Sequence, residues 1–341
     1  LKELICFGVI LSILLECTLR SSSPSTALQS FGELAQGSRK EDWFFKRKTT
    51  INDKGDTLLF SIGGMVVTST DELFISDRMG FRLRKFDKHG TLLMSAGSKG
   101  ESPNEFRRGP TRVAYDSFRR KLAVGDYQLP IIKVFDDKMR YEKSYFAPAP
   151  VLDLVYDDRG RLIVAVPPAK GGLRSISIFD EHGSVIGSFD PKGLLNEPWM
   201  DAFTIDFDRR HKKIIVVFLH RNLIQILHPD GTLDRQFSID GLPDKVPSTR
   251  KVFHGQSMEL PDSFMFWDVA ADGDGNIYVL GAHFSKKKNR TIYVFQIDGR
   301  LQTVLNLPVE TGMFSVNENG LLITMEEYGT AVGVYERKRN Q

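Results

Sequence analysis

From residue 61 onward, short apolar runs return in a three-part phrase. One apolar strand is followed by a polar or glycine-containing turn and a second apolar strand, then by a third that ends in an aromatic residue, an acidic residue and a glycine turn. The second runs read LFISD from Leu73, LAVGD from Leu122, LIVAV from Leu162, IIVVF from Ile214, IYVLG from Ile277 and LLITM from Leu321. The third carry KFDKHG around Phe86, VFDDK around Phe135, IFDEHG around Phe179, ILHPDG around Leu227, VFQIDG around Phe295 and VYERK around Tyr335. Alternating apolar and polar positions broken by glycine turns indicate strands joined by hairpins, and no segment sustains a helical period.

The spacing of the phrases, roughly 40 to 65 residues, is that of propeller blades rather than helical repeats. One four-stranded sheet cannot cover both of its faces, but sheets stacked around an axis bury each against a neighbour. Six copies of each anchor therefore predict an all-β fold, a six-bladed β-propeller of four-stranded antiparallel blades. The last unit, from Thr311 to Lys338, has room for three strands only. Residues 42–60, DWFFKRKTTINDKGDTLLF, are predicted to supply the missing outermost strand and close the ring.

The stretch GSKGESPNEFRRGPTRVAYD, residues 97–116, followed by RRKLAVGD and IIKVFD, resembles an NHL-type repeat. The wider pattern, over residues 61–338, is similar to six-bladed propellers exported by bacteria. It is strongest in the first two units, where an Asp follows the second strand, and fades where Val166, Phe218 and Met325 replace that Asp. The resemblance implies the fold. It leaves activity open, because such propellers serve as interaction platforms, lyases and sugar-lactone hydrolases alike.

Ahead of the repeats, LKELICFGVILSILLEC has one early lysine and an apolar run of signal-peptide length, too short for a comfortable membrane span. Residues 1–27 are read as a signal peptide or N-terminal anchor, 28–41 as a Ser-rich tether and 42–338 as the propeller. Three endings stay open: cleavage after Ala27, lipidation at Cys17, or an uncleaved anchor. Each makes the chain exported, whether periplasmic, cell-surface or secreted, with contact to a membrane only through this segment. The two cysteines, Cys6 and Cys17, both lie in it, so the propeller has neither disulfide nor thiolate metal site. A net charge of +3 is too mild to indicate nucleic acid, and a monomer is expected.

In a propeller, the loops between second and third strands and the crossovers between blades share one face, predicted here to be the ligand-binding face at the channel mouth. On it fall Arg78, Arg82, Arg107, Arg108, Asp126, Tyr127, Trp199, His220, His254 and His283, with Arg112 beside the channel. A mixed surface with a basic lean and aromatics suits an acidic or sugar-like partner. Aligning the innermost strands puts Gly64, Arg112, Asp153, Thr204, Asp268 and Met313 at one position. Asp153 and Asp268, with Asp201 nearby, are candidate ligands for a hard cation such as Ca²⁺. His220, His254 and His283 are the histidines on that face, but no spacing converges them on zinc. No P-loop, EF-hand or GxSxG elbow occurs. The insertion from Pro243 to Pro261 departs most from the repeat. The expected function is a binding platform for a protein or a small polar or carbohydrate ligand. The alternative is a metal-dependent hydrolase or lyase, gluconolactonase-like or amidating-lyase-like.

Overall fold

The computed structural model describes residues 43–51, 58–168, 173–253, 256–282 and 289–339. After an N-terminal strand β1 (Trp43–Ile51), blade one is β2 (Ile62–Val67), β3 (Leu73–Asp77), β4 (Arg82–Phe86) and β5 (Leu92–Ala96). Blade two is β6 (Pro110–Asp116), β7 (Lys121–Asp126), β8 (Ile131–Asp136) and β9 (Tyr141–Phe146), and blade three β10 (Asp153–Tyr156), β11 (Leu162–Ala165), β12 (Ile176–Phe179) and β13 (Val185–Phe189). Blade four is β14 (Phe203–Asp208), β15 (Lys213–Phe218), β16 (Ile224–Leu227) and β17 (Leu233–Phe237). A separate hairpin, β18 (Ser248–Phe253) and β19 (Gln256–Pro261), precedes blade five, β20 (Phe266–Ala271), β21 (Ile277–Gly281), β22 (Thr291–Phe295) and β23 (Leu301–Asn306). Blade six holds β24 (Phe314–Val316), β25 (Leu321–Glu326) and β26 (Ala331–Arg339), and β1 completes it in the order β1-β26-β25-β24. The ring closes through the N-terminal strand, as the three-strand count of the last unit requires.

Burial follows from position in the blade. The middle strands are covered on both faces by neighbouring blades and read as continuous apolar runs: β3 is buried at all of its positions, as are β11, β16 and β21. The outer strands β5, β13 and β17 are largely exposed. Between each pair of neighbours lies one apolar cluster; Phe74 and Leu83 meet Leu122, Val124 and Phe135 at the first joint, and Ile51, Leu73 and Ile75 meet Ile323 and Val334 at the closing one.

The repeated aromatic-acid-glycine phrase is a turn device. Asp87 Oδ1 accepts the N–H groups of His89 and Thr91 at 2.9 and 2.8 Å, and Asp180 Oδ1 those of His182 and Ser184 at 2.9 and 2.8 Å. Gly90 and Gly183 take the left-handed backbone, φ 87° and 84°, that closes each turn. Just inside these turns the third and fourth strands shift register, at Lys85/Phe86, Val134/Phe135, Ile178/Phe179, Ile226/Leu227 and Val294/Phe295. The closing pair repeats the shift at Arg47/Thr49. Such bulges twist the exposed edge away from pairing with another chain.

The clasp is more than a ladder. Arg47 Nη2 reaches both oxygens of Glu326 at 2.7 Å, and the Tyr335 hydroxyl accepts from Arg47 at 2.6 Å while donating to Glu326 Oε1 at 2.7 Å. Burial first, then the Glu326 carboxylate, push the Tyr335 phenol up to about 12, so it remains a donor across the physiological range. Glu326 is only 3% exposed, so removing its cation strands a buried charge. Breaking a buried pair costs ~3–5 kcal/mol; because Arg47 is one-third exposed, Arg47→Met is expected to lower unfolding free energy by ~2–3 kcal/mol. Urea denaturation checks this, with Lys48→Met, whose side chain is half in solvent and whose partner Glu336 also pairs with Lys338, expected to stay within ~0.5 kcal/mol.

Candidate functional site

The first strands of the blades line the axis. At their aligned position, Gly63 and Gly64 of β2 contribute no side chain, and a Cβ on them would meet the β6 backbone at 2.6 Å (Pro110 O) and 2.7 Å (Arg112 Cα). The glycine pair thus lets two inner strands abut and leaves the axis to Arg112. From β6 the guanidinium crosses to blades three and five: Nε lies 3.7 Å from Asp153 Oδ1 and Nη1 3.3 Å from Asp268 Oδ1. Thr204 donates to Asp153 and lies 3.5 Å from Asp268. The remaining carboxylate oxygens serve the backbone of the next blade, Asp153 Oδ2 accepting from Ile205 N and Asp268 Oδ2 from Phe314 N, both at 3.0 Å.

The electrostatics follow from this enclosure. Burial pushes the Asp268 carboxyl up to about 6, against the pull of Arg112. Burial also works against the charge on Arg112, but Asp153 and Asp268 more than offset it and hold the guanidinium above its ordinary value. The sequence alignment placed these residues in one column; the cation that Asp153 and Asp268 hold between them is Arg112 itself.

From this group a cavity of about 150 Å³ runs along the axis, lined by the inner strands and ending among Ser69, Ser117, Arg209, Gly273 and Glu318. These belong to the turns between first and second strands. The channel therefore develops toward the hairpin-turn face, opposite to the crossover face expected to surround its mouth. Asp206, two residues beyond Thr204 and so on the same side of β14, lines it. Its Oδ2 accepts the Ala271 N–H at 2.6 Å, and burial pushes the carboxyl up to about 7. Sequence reasoning missed Asp206, although its spacing of two from Thr204 carried the signal.

The crossover-face residues divide by exposure. Arg82, Arg107 and Arg108 are exposed, and half-buried Arg78 lies over the ring of half-buried Tyr127 at 4.6 Å. Asp126 is buried, its oxygens accepting the N–H groups of Arg107 and Arg108 at 2.9 and 3.0 Å, and Asp77 ties Phe60 and Ser61 in the same way at 3.2 and 3.1 Å. This is the physical content of the Asp that follows the second strand: it pins the incoming crossover. Trp199 is buried, as is His220, whose Nδ1 pairs with Ser263 O at 2.8 Å and whose ring packs on Phe264 at 4.6 Å. Burial pushes that imidazole down to about 4, so it is neutral at physiological pH. His254, His283 and Cys17 lie outside the described residues.

Asp201 does not join Asp153 and Asp268. It accepts from Leu195 N at 3.0 Å, Glu197 N at 3.2 Å and the Arg221 guanidinium at 3.1 Å, pinning the crossover into blade four. Among the described residues, no group of three or more His, Cys, Asp or Glu is placed to share an ion. The insertion forms the β18–β19 hairpin, rooted on blade four through Val246 N to His220 O at 3.0 Å.

Two outcomes follow. Arg112→Met leaves two buried carboxylates without a cation and is expected to cost at least ~3 kcal/mol at pH 7.5, with part regained at pH 5 as Asp268, already pushed up to about 6 by burial, takes up a proton; urea denaturation at both pH values checks it. Asp206, raised in the folded state above the ordinary ~3.9, stabilises below that value and loses its contribution as pH rises to about 7. Asp206→Asn is therefore expected to flatten this fall and to stabilise the protein at pH 8 by ~2–4 kcal/mol, less than full burial would give because the group faces the channel. Melting temperatures from pH 5 to 8 measure that slope.

Solved structures share the architecture. A member of the DUF4221 family from Bacteroides vulgatus is similar at TM-score 0.60 and 8% identity over 88% of this chain and 100% of that one. A structural genomics protein of unknown function from Bacteroides thetaiotaomicron is similar at TM-score 0.57 and 12% identity, over 86% and 73%. The WD40 β-propeller domain of Doa1 is similar at TM-score 0.53 and 14% identity, over 86% and 97%. No protein-family model and no curated protein matches the sequence. At these identities the likeness carries the fold alone, a six-bladed β-propeller.

Proposed function

We propose that this chain is an exported, NHL-like propeller that binds a protein partner across the sector of its crossover face formed by blades six, one and two. One observation carries the reading: apolar side chains stand in solvent there beside arginines. Tyr328 is 89% exposed, Met79 61% and Phe60 54%. They are neighbours through the backbone. Arg78 N donates to Ser61 O at 2.7 Å, and the point where a Gly329 side chain would begin is 3.6 Å from the Ile62 nitrogen.

Tyr328 is held out by its backbone. Glu327 and Tyr328 both adopt left-handed φ, 48° and 57°, which costs an L-residue ~1–2 kcal/mol. Strain of this kind gathers at binding and switch sites. Tyrosine and arginine dominate the energetically important centres of protein interfaces. Around this patch Arg82, Arg107 and Arg108 are exposed, and the Arg107 guanidinium pairs with Glu101 at 3.7 Å, both side chains standing in solvent. The complementary surface is an acidic segment carrying an apolar or aromatic anchor. An exported chain meets such a partner outside the cytoplasm, in keeping with the apolar N-terminal segment.

A photo-crosslinking residue at position 79 is expected to trap the partner in the native host, while the same residue at position 118, exposed on the opposite face, is not. With the partner in hand, Tyr328→Ala combined with Met79→Ala and Arg82→Ala is expected to weaken binding at least tenfold and to leave the melting temperature unchanged, these side chains being exposed. Crosslinks from position 118 alone, or unchanged affinity, would overturn the reading.

A further inference from the structure

The axial cavity contains a carboxylate, Asp206, that no cation among the described residues bonds directly: Arg209 acts on its charge only from a distance. Asp206 Oδ2 is tied to Ala271 N, yet among the described residues no lysine, arginine or histidine pairs with this side chain. The two arginines that line the cavity are committed elsewhere. Arg112 lies between Asp153 and Asp268, and Arg209 donates to the carbonyls of Tyr156 and Asp157 at 3.1 Å each. The other titratable groups facing the axis are Tyr115 from β6 and Tyr156 from β10, whose phenol burial holds well above its ordinary range, with Glu318 and Asp272 at the turns after β24 and β20. Asp272 is itself neutralised by Arg337 at 3.0 Å. From β2 and the turn after it come Met65, Val66, Val67, Thr68 and Ser69, none of them charged.

The occupant is constrained by size and by charge. A volume of about 150 Å³ exceeds one water's share of roughly 30 Å³ but falls well below the ~300–1,000 Å³ of pockets for drug-sized ligands. An anion would meet carboxylates whose neighbouring cations, Arg112 and Arg209, are already engaged. A neutral apolar molecule would leave Asp206 desolvated and unsatisfied. A calcium ion wants six to eight oxygens, whereas one oxygen of each of Asp153, Asp206 and Asp268 already accepts a backbone N–H. A primary ammonium supplies the charge, carries three donors, and needs an apolar wall for its alkyl part. Half-buried Val66 and Val155 line the cavity and provide one, with the Ser315 hydroxyl beside them.

We propose that the channel is a binding site for a small primary alkylammonium ion, entering from the hairpin-turn face and pairing with Asp206. The site is separate from the protein-binding patch, at the other end of the axis, and does not depend on it. Because burial pushes the Asp206 carboxyl up to about 7, an ammonium ion and a proton compete for one carboxylate.

The test is calorimetric titration of the full chain with ethylammonium chloride, with tetramethylammonium and sodium chloride at equal ionic strength as comparisons. Saturable binding of ethylammonium is expected, at least tenfold tighter than of either comparison ion. Its affinity is expected to climb from pH 5.5 to 7 and level off above. Asp206→Asn, which keeps shape and loses charge, is expected to weaken binding at least tenfold. Val66→Phe, which fills the cavity and leaves Asp206 in place, is expected to do the same. Absence of ethylammonium binding at pH 8, equal binding of tetramethylammonium, a pH-independent affinity, or full binding by Asp206→Asn would each overturn the proposal.

Discussion

Each blade ends, at the axis, in a strand whose inner edge has no strand beside it, and the structure depends on how those unpaired N–H groups are satisfied. Water in a narrow channel is a poor substitute for a ladder, and an orphaned buried donor costs about as much as a lost hydrogen bond. Side chains of one inner strand therefore serve the backbone of the next. Asp153 takes Ile205 N, Asp206 takes Ala271 N, Asp268 takes Phe314 N, and the Ser315 hydroxyl receives Val67 N at 3.4 Å. From the second strand of blade one, Ser76 adds a bond of the opposite sense, donating to Thr111 O at 2.7 Å. The apolar joints hold the blades together, and these bonds tie one inner strand to the next.

A circuit built on carboxylates imports charge into a buried place, and that cost determines the chemistry of the axis. One arginine, Arg112, serves two of the three acids. The third, Asp206, has only the more distant pull of Arg209, whose guanidinium serves backbone carbonyls. The two ends of the molecule are in this way chemically distinct: a rim of arginines and exposed aromatic or apolar side chains on one side, an acidic narrow cavity on the other.

The blade architecture was legible because it is periodic: the apolar runs, the turn aspartates and the short last unit all follow from local pattern. The axial column of Gly64, Arg112, Asp153, Thr204 and Asp268 was legible too, as an alignment. What the sequence did not carry was reach. Whether Arg112 folds back along its strand or crosses the axis depends on the glycine pair of β2 giving it space, a relation between residues from different blades. His220 and Trp199 show the same limit. Loop position suggested exposure, while burial was decided by Ser263 and Phe264 and by the packing of a crossover, none of them near in the chain. Phe60 and Met79 escaped notice because isolated apolar residues in loops are ordinary until the fold sets them side by side.

The clasp also has a meaning for how the ring is made. The partner of β1 is β26, so Arg47 meets Tyr335 across 288 residues of chain, and the first strand has nothing to pair with until that distant strand is in place. Loop-closure entropy makes such distant pairing late and slow. Until then WFFKRKTTI is an apolar strand with a free edge, the kind of segment that recruits other copies of itself. The run of Lys46, Arg47 and Lys48 through its middle opposes self-association by like-charge repulsion while it waits. The residue that locks the finished ring thus doubles as the guard that keeps unfinished rings apart.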